Sequence, residues 1–128
     1  MCLRGASAVE GFIAQHREEK FAVLVVWEPI LPTDWTSPSS STLARISDSR
    51  ARQFWDPNHL VAQELKIAAE KRLLPQPHCC FNKGFNWDEV ALYAPYSRWN
   101  DAPAPAFWNG PVVKATPLLE NSLRASGN

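Results

Sequence analysis

The chain lacks a charge excess, a long apolar run and an even number of cysteines. Its basic and acidic residues balance at 13 each, so no net charge draws it to nucleic acid or to an anionic membrane. No segment approaches the roughly 20 consecutive apolar residues that span a bilayer, and the start carries no apolar core of signal-peptide length. We therefore expect a cytoplasmic protein that binds neither nucleic acid nor membrane.

Glycine-dependent motifs are also missing. Five glycines are spread over 128 residues without a phosphate-binding loop or a Gly-x-Ser-x-Gly elbow, so phosphate-loop nucleotide binding and serine hydrolysis lack support. The three cysteines cannot all pair, so at least one thiol is free. The chain does contain 45% hydrophobic and 20% charged residues, a balance typical of a folded protein. We expect one domain covering residues 1–128.

The strongest structural signal is the apolar stretch FAVLVVW at residues 21–27. A Val-rich run of this kind predicts a strand buried on both faces, at the centre of a mixed or parallel sheet. In α/β folds, the loop that leaves the carboxyl end of such a strand is where functional sites lie. Ahead of the strand, Ser7 and Glu10 fit a capping box, which predicts a helix over residues 8–19.

The rest of the chain alternates strand, helix and loop signals. Asp56 and Pro57 have the pattern of a helix N-cap followed by proline at the first helical position, and Thr116 and Pro117 repeat that pattern. Eleven prolines indicate long loops between the elements. The predicted elements are a helical turn at 42–46, a strand at 50–55, a helix from Asp56 to about Leu74, a loop at 76–87, a strand at 89–94, a loop at 95–109, an edge strand at 111–114 and a helix from Pro117 to about Ala125.

Several local motifs, together with this order of elements, carry a family resemblance. The motifs are VWEPIL at 26–31 with Asp34, DSR at 48–50 leading to QFWDP at 53–57, WDEVALY at 87–93, and Trp99 followed by Pro103, Pro105 and Trp108. They resemble an uncharacterised group of bacterial thioredoxin-like proteins. The resemblance covers most of the chain and implies the thioredoxin fold, an α/β three-layer sandwich with a mixed sheet of about four strands. It implies little about activity.

One departure from the thioredoxin pattern limits the chemistry. In thioredoxins the loop after the central strand carries Trp-Cys-x-x-Cys at a helix N-terminus, where the thiol pKa is lowered. Here the corresponding residues, 27–31, read WEPIL. Conventional dithiol exchange at that position is therefore excluded.

The adjacent pair Cys79 and Cys80, with His78 beside it, is the sharpest chemical feature. Two neighbouring thiols can bind a soft metal such as Zn(II), Cu(I) or Hg(II), with His78 as a third ligand. They can also form a vicinal disulfide that acts as a redox switch. The alternative is that one or both are small buried apolar residues. Our first functional hypothesis is thiol redox chemistry or soft-metal handling by this pair.

Glu28 and Asp34 follow the central strand and form a second candidate site. Such carboxylates could act as a general acid–base pair or hold a hard metal ion. The alternative is that Glu28 is a surface carboxylate and that Asp34 caps the turn before Trp35 or accepts a bond from Arg50 or Arg52.

Histidines and aromatics supply the remaining candidates. His59 near the start of a helix and His16 on an apolar helix face favour packing or capping roles over metal ligation. The aromatic loop between Tyr93 and Trp108 either wraps onto the sheet or makes a surface for a protein partner. Our second functional hypothesis is therefore a non-enzymatic binding module that holds its partner through the loop from Tyr93 to Trp108.

Overall fold

A computed structural model describes residues 2–77, 79–82 and 84–126 of the chain. The chain divides into two compact units, Met1–Val61 and Ala62–Asn128. Within the described ranges, no helix combines the length and apolar character that a membrane crossing requires. The elements are α1 (Leu3–Gln15), β1 (Val23–Trp27), α2 (Ser40–Leu43), β2 (Ala51–Trp55), α3 (Leu60–Arg72), β3 (Phe81–Asn82), β4 (Phe85–Asn86), β5 (Val90–Leu92), a 3-10 turn (Trp99–Asp101), β6 (Phe107–Asn109) and α4 (Val112–Ser126).

Helix α1 begins earlier than the capping-box pattern predicts. Cys2 is its N-cap, and the Cys2 Sγ accepts the Gly5 N–H at 3.3 Å. Ser7 lies inside the helix, so the predicted capping box is wrong. The Glu10 carboxylate instead accepts bonds from the Ser47 N–H at 3.2 Å and from the Ser47 hydroxyl at 3.0 Å. A thiol takes the capping role because it is the acceptor placed at the true helix start.

Strands β1 and β2 pair in parallel, with Val23 opposite Ala51 and Trp27 opposite Trp55. The predicted strands at 21–27 and 50–55 are therefore confirmed, although β1 begins two residues and β2 one residue later than predicted. One face of this pair packs with α1 around the fully buried Ile13. On the opposite face Leu24 is 61% exposed and Phe54 is 50% exposed. The prediction that the central strand is buried on both faces is therefore wrong, because side chains on alternate faces find a core on one side only.

Arg50 ties the carboxyl end of α1 to the start of β2. Its guanidinium donates to both carboxylate oxygens of Asp48, each at 3.0 Å. It also donates to the carbonyls of His16 at 2.7 Å, Glu19 at 2.9 Å and Ile13 at 3.0 Å. These carbonyls lie in the last turn of α1 or just beyond it, where a helix leaves backbone acceptors with unused hydrogen-bonding capacity. One side chain therefore caps the helix and fixes the connection to the sheet.

Gln53 anchors the segment that links the two strands of the first unit. Its side-chain oxygen accepts the Trp27 Nε1–H at 2.9 Å. Its amide nitrogen donates to the carbonyls of Leu43 at 2.9 Å and Ile46 at 3.1 Å. The helical turn predicted at 42–46 is observed slightly earlier, as α2, with the Ser39 side chain as its N-cap.

Helix α3 begins later than the Asp56-Pro57 pattern predicts. The residue before it, His59, has a left-handed backbone conformation with φ of 56°, which interrupts helical geometry. The helix therefore starts at Leu60 rather than at Pro57. Asp56 still binds the start of the helix, since its Oδ2 accepts the Val61 N–H at 2.9 Å.

The second unit contains two short antiparallel pairs, β3 with β4 and β5 with β6. The β3–β4 pair lies inside the loop predicted at 76–87, and β6 lies inside the loop predicted at 95–109. The edge strand predicted at 111–114 is wrong, because α4 begins at Val112 and the Pro111 carbonyl accepts the N–H groups of Lys114 and Ala115. Pro117 consequently lies inside α4 and does not open it.

The thioredoxin-like sandwich is contradicted by the strand pairing. Among the described residues, β1 pairs with β2, β3 with β4 and β5 with β6, so each sheet has two strands. A mixed sheet of about four strands requires the hydrogen-bonded ladder to continue from one pair to the next. That continuation is absent from the described part of the chain. The protein is a mixed α/β chain built from two-stranded sheets.

We predict that Arg50→Lys lowers the midpoint of thermal unfolding. Lysine carries a point charge on a flexible stem and cannot reproduce the planar fork that reaches Asp48 and the α1 carbonyls together. Arg52→Lys is the matched control, because Arg52 lies in β2 only two residues after Arg50 and is exposed. Equal midpoints for the two variants would contradict the capping role of Arg50.

We predict that the stabilisation from Asp48 is lost in acid. Hydrogen bonding from the Arg50 side chain lowers the pKa of Asp48 from 3.8 to about 2. A carboxyl whose pKa is lower in the folded state stabilises the fold fully above about pH 4 and progressively less as the pH falls toward 2. The difference in thermal midpoint between the parent protein and Asp48→Asn should shrink over that interval. A difference that is independent of pH would show that the charge of Asp48 is not involved.

Candidate functional site

The sulfur atoms of Cys79 and Cys80 are joined in a disulfide between adjacent residues. Cys79 is exposed, whereas Cys80 is 2% exposed. The interpretation of these cysteines as small buried residues therefore holds for Cys80 alone. The predicted third member of the site, His78, lies outside the described residues. The free thiol predicted from the odd cysteine count belongs to Cys2.

Gly110 lies directly against this disulfide. A Cβ atom on Gly110 would stand 2.6 Å from the Cys80 Sγ and 3.1 Å from the Cys79 Sγ. It would also stand 2.7 Å from the carbonyl oxygen of Asp88. Non-bonded heavy atoms do not approach each other this closely, so replacing Gly110 by any larger residue would require the surrounding atoms to move. Sequence reasoning missed Gly110, although the Asn109-Gly110-Pro111 turn was a signal for a close backbone approach.

Asp88 connects the disulfide loop to the start of α4. The neighbouring Trp87 N–H donates to the Cys80 carbonyl at 3.0 Å. The Asp88 carbonyl accepts the Val112 N–H at 3.1 Å, and its Oδ1 lies 3.3 Å from the same nitrogen. Asp88 has a left-handed backbone with φ of 55°. Burial raises the pKa of the Asp88 carboxyl, because a charged carboxylate loses solvation away from water.

Glu89 binds the strands around the site to one another. Its carboxylate accepts the Asn86 side-chain N–H at 3.0 Å and the Trp108 Nε1–H at 2.8 Å. Asn86 ends β4 and Trp108 lies in β6, so one carboxylate joins both antiparallel pairs of the second unit. Burial raises the pKa of Glu89 despite these two donors. From the sequence, Glu89 is predicted only as the first residue of a strand.

The predicted metal site has no support from the geometry. Among the described residues, no group of three or more His, Cys, Asp and Glu side chains could hold a metal ion. The sulfurs of Cys79 and Cys80 are bonded to each other, and soft metals bind thiolates. A soft-metal site would therefore require the reduced pair and a further ligand.

The two carboxylates predicted after the central strand each have contacts of their own. The Asp34 Oδ2 accepts the N–H groups of Ile30 at 3.1 Å and Leu31 at 2.9 Å. The Leu31 N–H in particular lowers the pKa of Asp34. Asp34 is thus a loop cap, the alternative considered for it from the sequence. Glu28 instead lies beside His59, with its Oε1 3.7 Å from the His59 Nδ1.

His16 has the packing role expected from its position. It is buried, its ring stacks on Phe12 at 4.3 Å between centroids, and its Nδ1–H donates to the Phe12 carbonyl at 2.8 Å. Its contacts within α1 are those of a residue that terminates the helix.

The aromatic loop between Tyr93 and Trp108 is partly engaged within the second unit. The Trp108 indole is bonded to Glu89, and Tyr93 contacts Trp99 at 5.9 Å between ring centroids. Tyr96 is 99% exposed and Trp99 is 46% exposed. The surface that the loop offers to a partner is therefore narrower than the sequence suggests, and the binding-module hypothesis stays a prediction.

Comparisons with protein-family models, with curated proteins and with solved structures find no match to this chain. The resemblance to thioredoxin-like proteins thus gains no support from a relative. The disulfide and its surroundings are therefore the basis of the function proposed below.

We predict opposite stability effects for two Gly→Ala variants. Gly110→Ala should destabilise by about 1–3 kcal/mol, because the added methyl group overpacks the buried Cys80 sulfur and the Asp88 carbonyl. Gly11→Ala should stabilise by about 1 kcal/mol, since Gly11 lies inside α1 with no atom within 4 Å of an added Cβ and alanine favours the helix. Urea unfolding of both variants measures the difference. A neutral Gly110→Ala would refute the close packing at the disulfide.

Proposed function

We propose that the protein acts in thiol–disulfide exchange through the Cys79–Cys80 pair. The observation that carries the proposal is the asymmetry of the disulfide, in which one cysteine is exposed and its bonded neighbour is buried. Exchange proceeds by attack of a thiolate along an accessible path to one sulfur of the disulfide. Exposure of Cys79 provides that path, and burial of Cys80 against Gly110 protects the other sulfur.

The unequal exposure of the two cysteines determines which sulfur is attacked first, and the order of bond changes follows from that. An incoming thiolate, from a low-molecular-weight thiol or a protein dithiol, attacks the Cys79 Sγ. The bond to Cys80 breaks, a mixed disulfide forms at Cys79, and the Cys80 thiolate takes up a proton. A second thiolate then attacks the external sulfur of the mixed disulfide and releases Cys79 as a thiolate. The pair gains two electrons, and the external thiols leave as a disulfide.

The position of the pair differs from that of a thioredoxin dithiol. The residues after β1 carry no cysteine, and the disulfide lies after α3, in the second unit. The contacts of the pair are with Gly110, two residues before α4, and, through the Trp87 N–H that donates to the Cys80 carbonyl, with the loop before β5. In this proposal, selectivity arises from unequal access to the two sulfurs.

The proposal is tested with two single-cysteine variants in a Cys2→Ser background. Serine can replace Cys2 because it is itself a favoured N-cap residue. Cys80→Ser, which retains Cys79, should form a mixed disulfide with oxidised glutathione at least about tenfold faster than Cys79→Ser, which retains the buried thiol. Mass spectrometry follows the adduct. The intact pair should also be reduced by glutathione while the protein stays folded.

Two results would refute the proposed function. In the first, the disulfide yields to reductant only when circular dichroism shows unfolding, so that the pair is a structural crosslink. In the second, both single-cysteine variants react at the same rate, and the asymmetry then has no chemical consequence.

A further inference from the structure

Gly110 lies between the disulfide and the backbone that starts α4. On one side are the sulfurs of Cys79 and Cys80, and on the other is the carbonyl of Asp88. Both neighbours are within the distance at which an added Cβ would overlap them, so Gly110 has little freedom to move while the sulfurs are bonded. Close packing of this kind transmits a displacement from one neighbour to the next.

Reduction changes the packing on the sulfur side of Gly110. Bonded sulfurs are about 2 Å apart, whereas atoms that are not bonded keep a separation of about 3.5–4 Å. Cys80 is enclosed, so its sulfur has little room to retreat, whereas the exposed Cys79 can turn toward solvent. Gly110 then loses one of the two sulfurs that cover it.

The Asp88 side of Gly110 leads directly to α4. The Asp88 carbonyl that is close to Gly110 also accepts the Val112 N–H, the first N–H of the helix. Pro111, bonded to Gly110, supplies the carbonyl that accepts the N–H groups of Lys114 and Ala115. A shift at Gly110 therefore alters the acceptors for the first turn of α4.

We propose, building on the proposed exchange function, that Cys79–Cys80 is a redox-sensitive switch for the first turn of α4. In the disulfide state, the bonded sulfurs hold Gly110 in place, and Asp88 caps the helix at Val112. In the dithiol state, Gly110 is covered by the Cys80 sulfur alone and moves more freely, the cap at Val112 weakens and the first turn of α4 opens more often. The signal passes through one glycine, because only a residue without Cβ can lie so close to both sulfurs and the Asp88 carbonyl.

Hydrogen exchange of the full chain tests the switch. Amide exchange at Val112 should accelerate about fivefold on reduction with a phosphine, the factor expected for loss of one helix cap. Amides in Val23–Trp27, which belong to the other compact unit, serve as the internal reference and should not change. Mass spectrometry of peptides covering residues 107–118 reads the effect, and alkylation of the same samples counts the reduced thiols.

The control is the Cys79→Ser/Cys80→Ser variant, which cannot form the disulfide. Its exchange at Val112 should be fast and should not respond to the phosphine. An equal response in this variant would show that the reductant acts elsewhere and would overturn the switch.

The alkylation count separates failure of the switch from failure of the exchange function. If the pair resists reduction in the folded protein, both proposals fail. If the pair is reduced and reoxidised reversibly while exchange at Val112 stays constant, the switch is refuted and the exchange function stands.

Discussion

The absence of a side chain at Gly110 is the constraint on which the candidate site depends. It lets the backbone approach the Cys79–Cys80 sulfurs and the Asp88 carbonyl at distances that a Cβ would forbid. Through that approach, a covalent bond that oxidation makes and reduction breaks lies against Gly110, which precedes the first residue of α4 by two positions. Gly110 is therefore adjacent both to the disulfide and to the residues that begin α4.

Buried carboxylates around the site have a supporting role. Glu89 joins β4 to β6 through Asn86 and Trp108, and Asp88 joins the loop before β5 to α4. Burial raises the pKa of both groups, as expected where charge is poorly solvated. These contacts connect strands of two or three residues, which have few ladder hydrogen bonds of their own.

The first unit is organised by side-chain bonds to exposed backbone ends. The Arg50 side chain donates hydrogen bonds to carbonyls at the end of α1, and the Gln53 side chain donates to carbonyls in and just after α2. Each of these residues lies on or just before β2, so one strand positions both helices. Asp34, which the sequence offered as a site residue of this unit, is a loop cap.

Local pattern determined the positions of β1 and β2, the approximate extents of α1 and α3, and the candidacy of Cys79 and Cys80, because apolar runs and residue chemistry are properties of neighbouring residues. The local pattern did not predict where the helices begin. The start of α1 depends on Cys2 as N-cap, that of α3 on the left-handed backbone of His59, and that of α4 on the Pro111 carbonyl as acceptor. Only the tertiary structure decided that the strands pair in twos, that Cys80 is buried and Cys79 exposed, and that Gly110 covers their sulfurs. Apart from the β3–β4 hairpin, those features join residues far apart in the chain, and no local pattern encodes which distant segment a strand or a sulfur will meet.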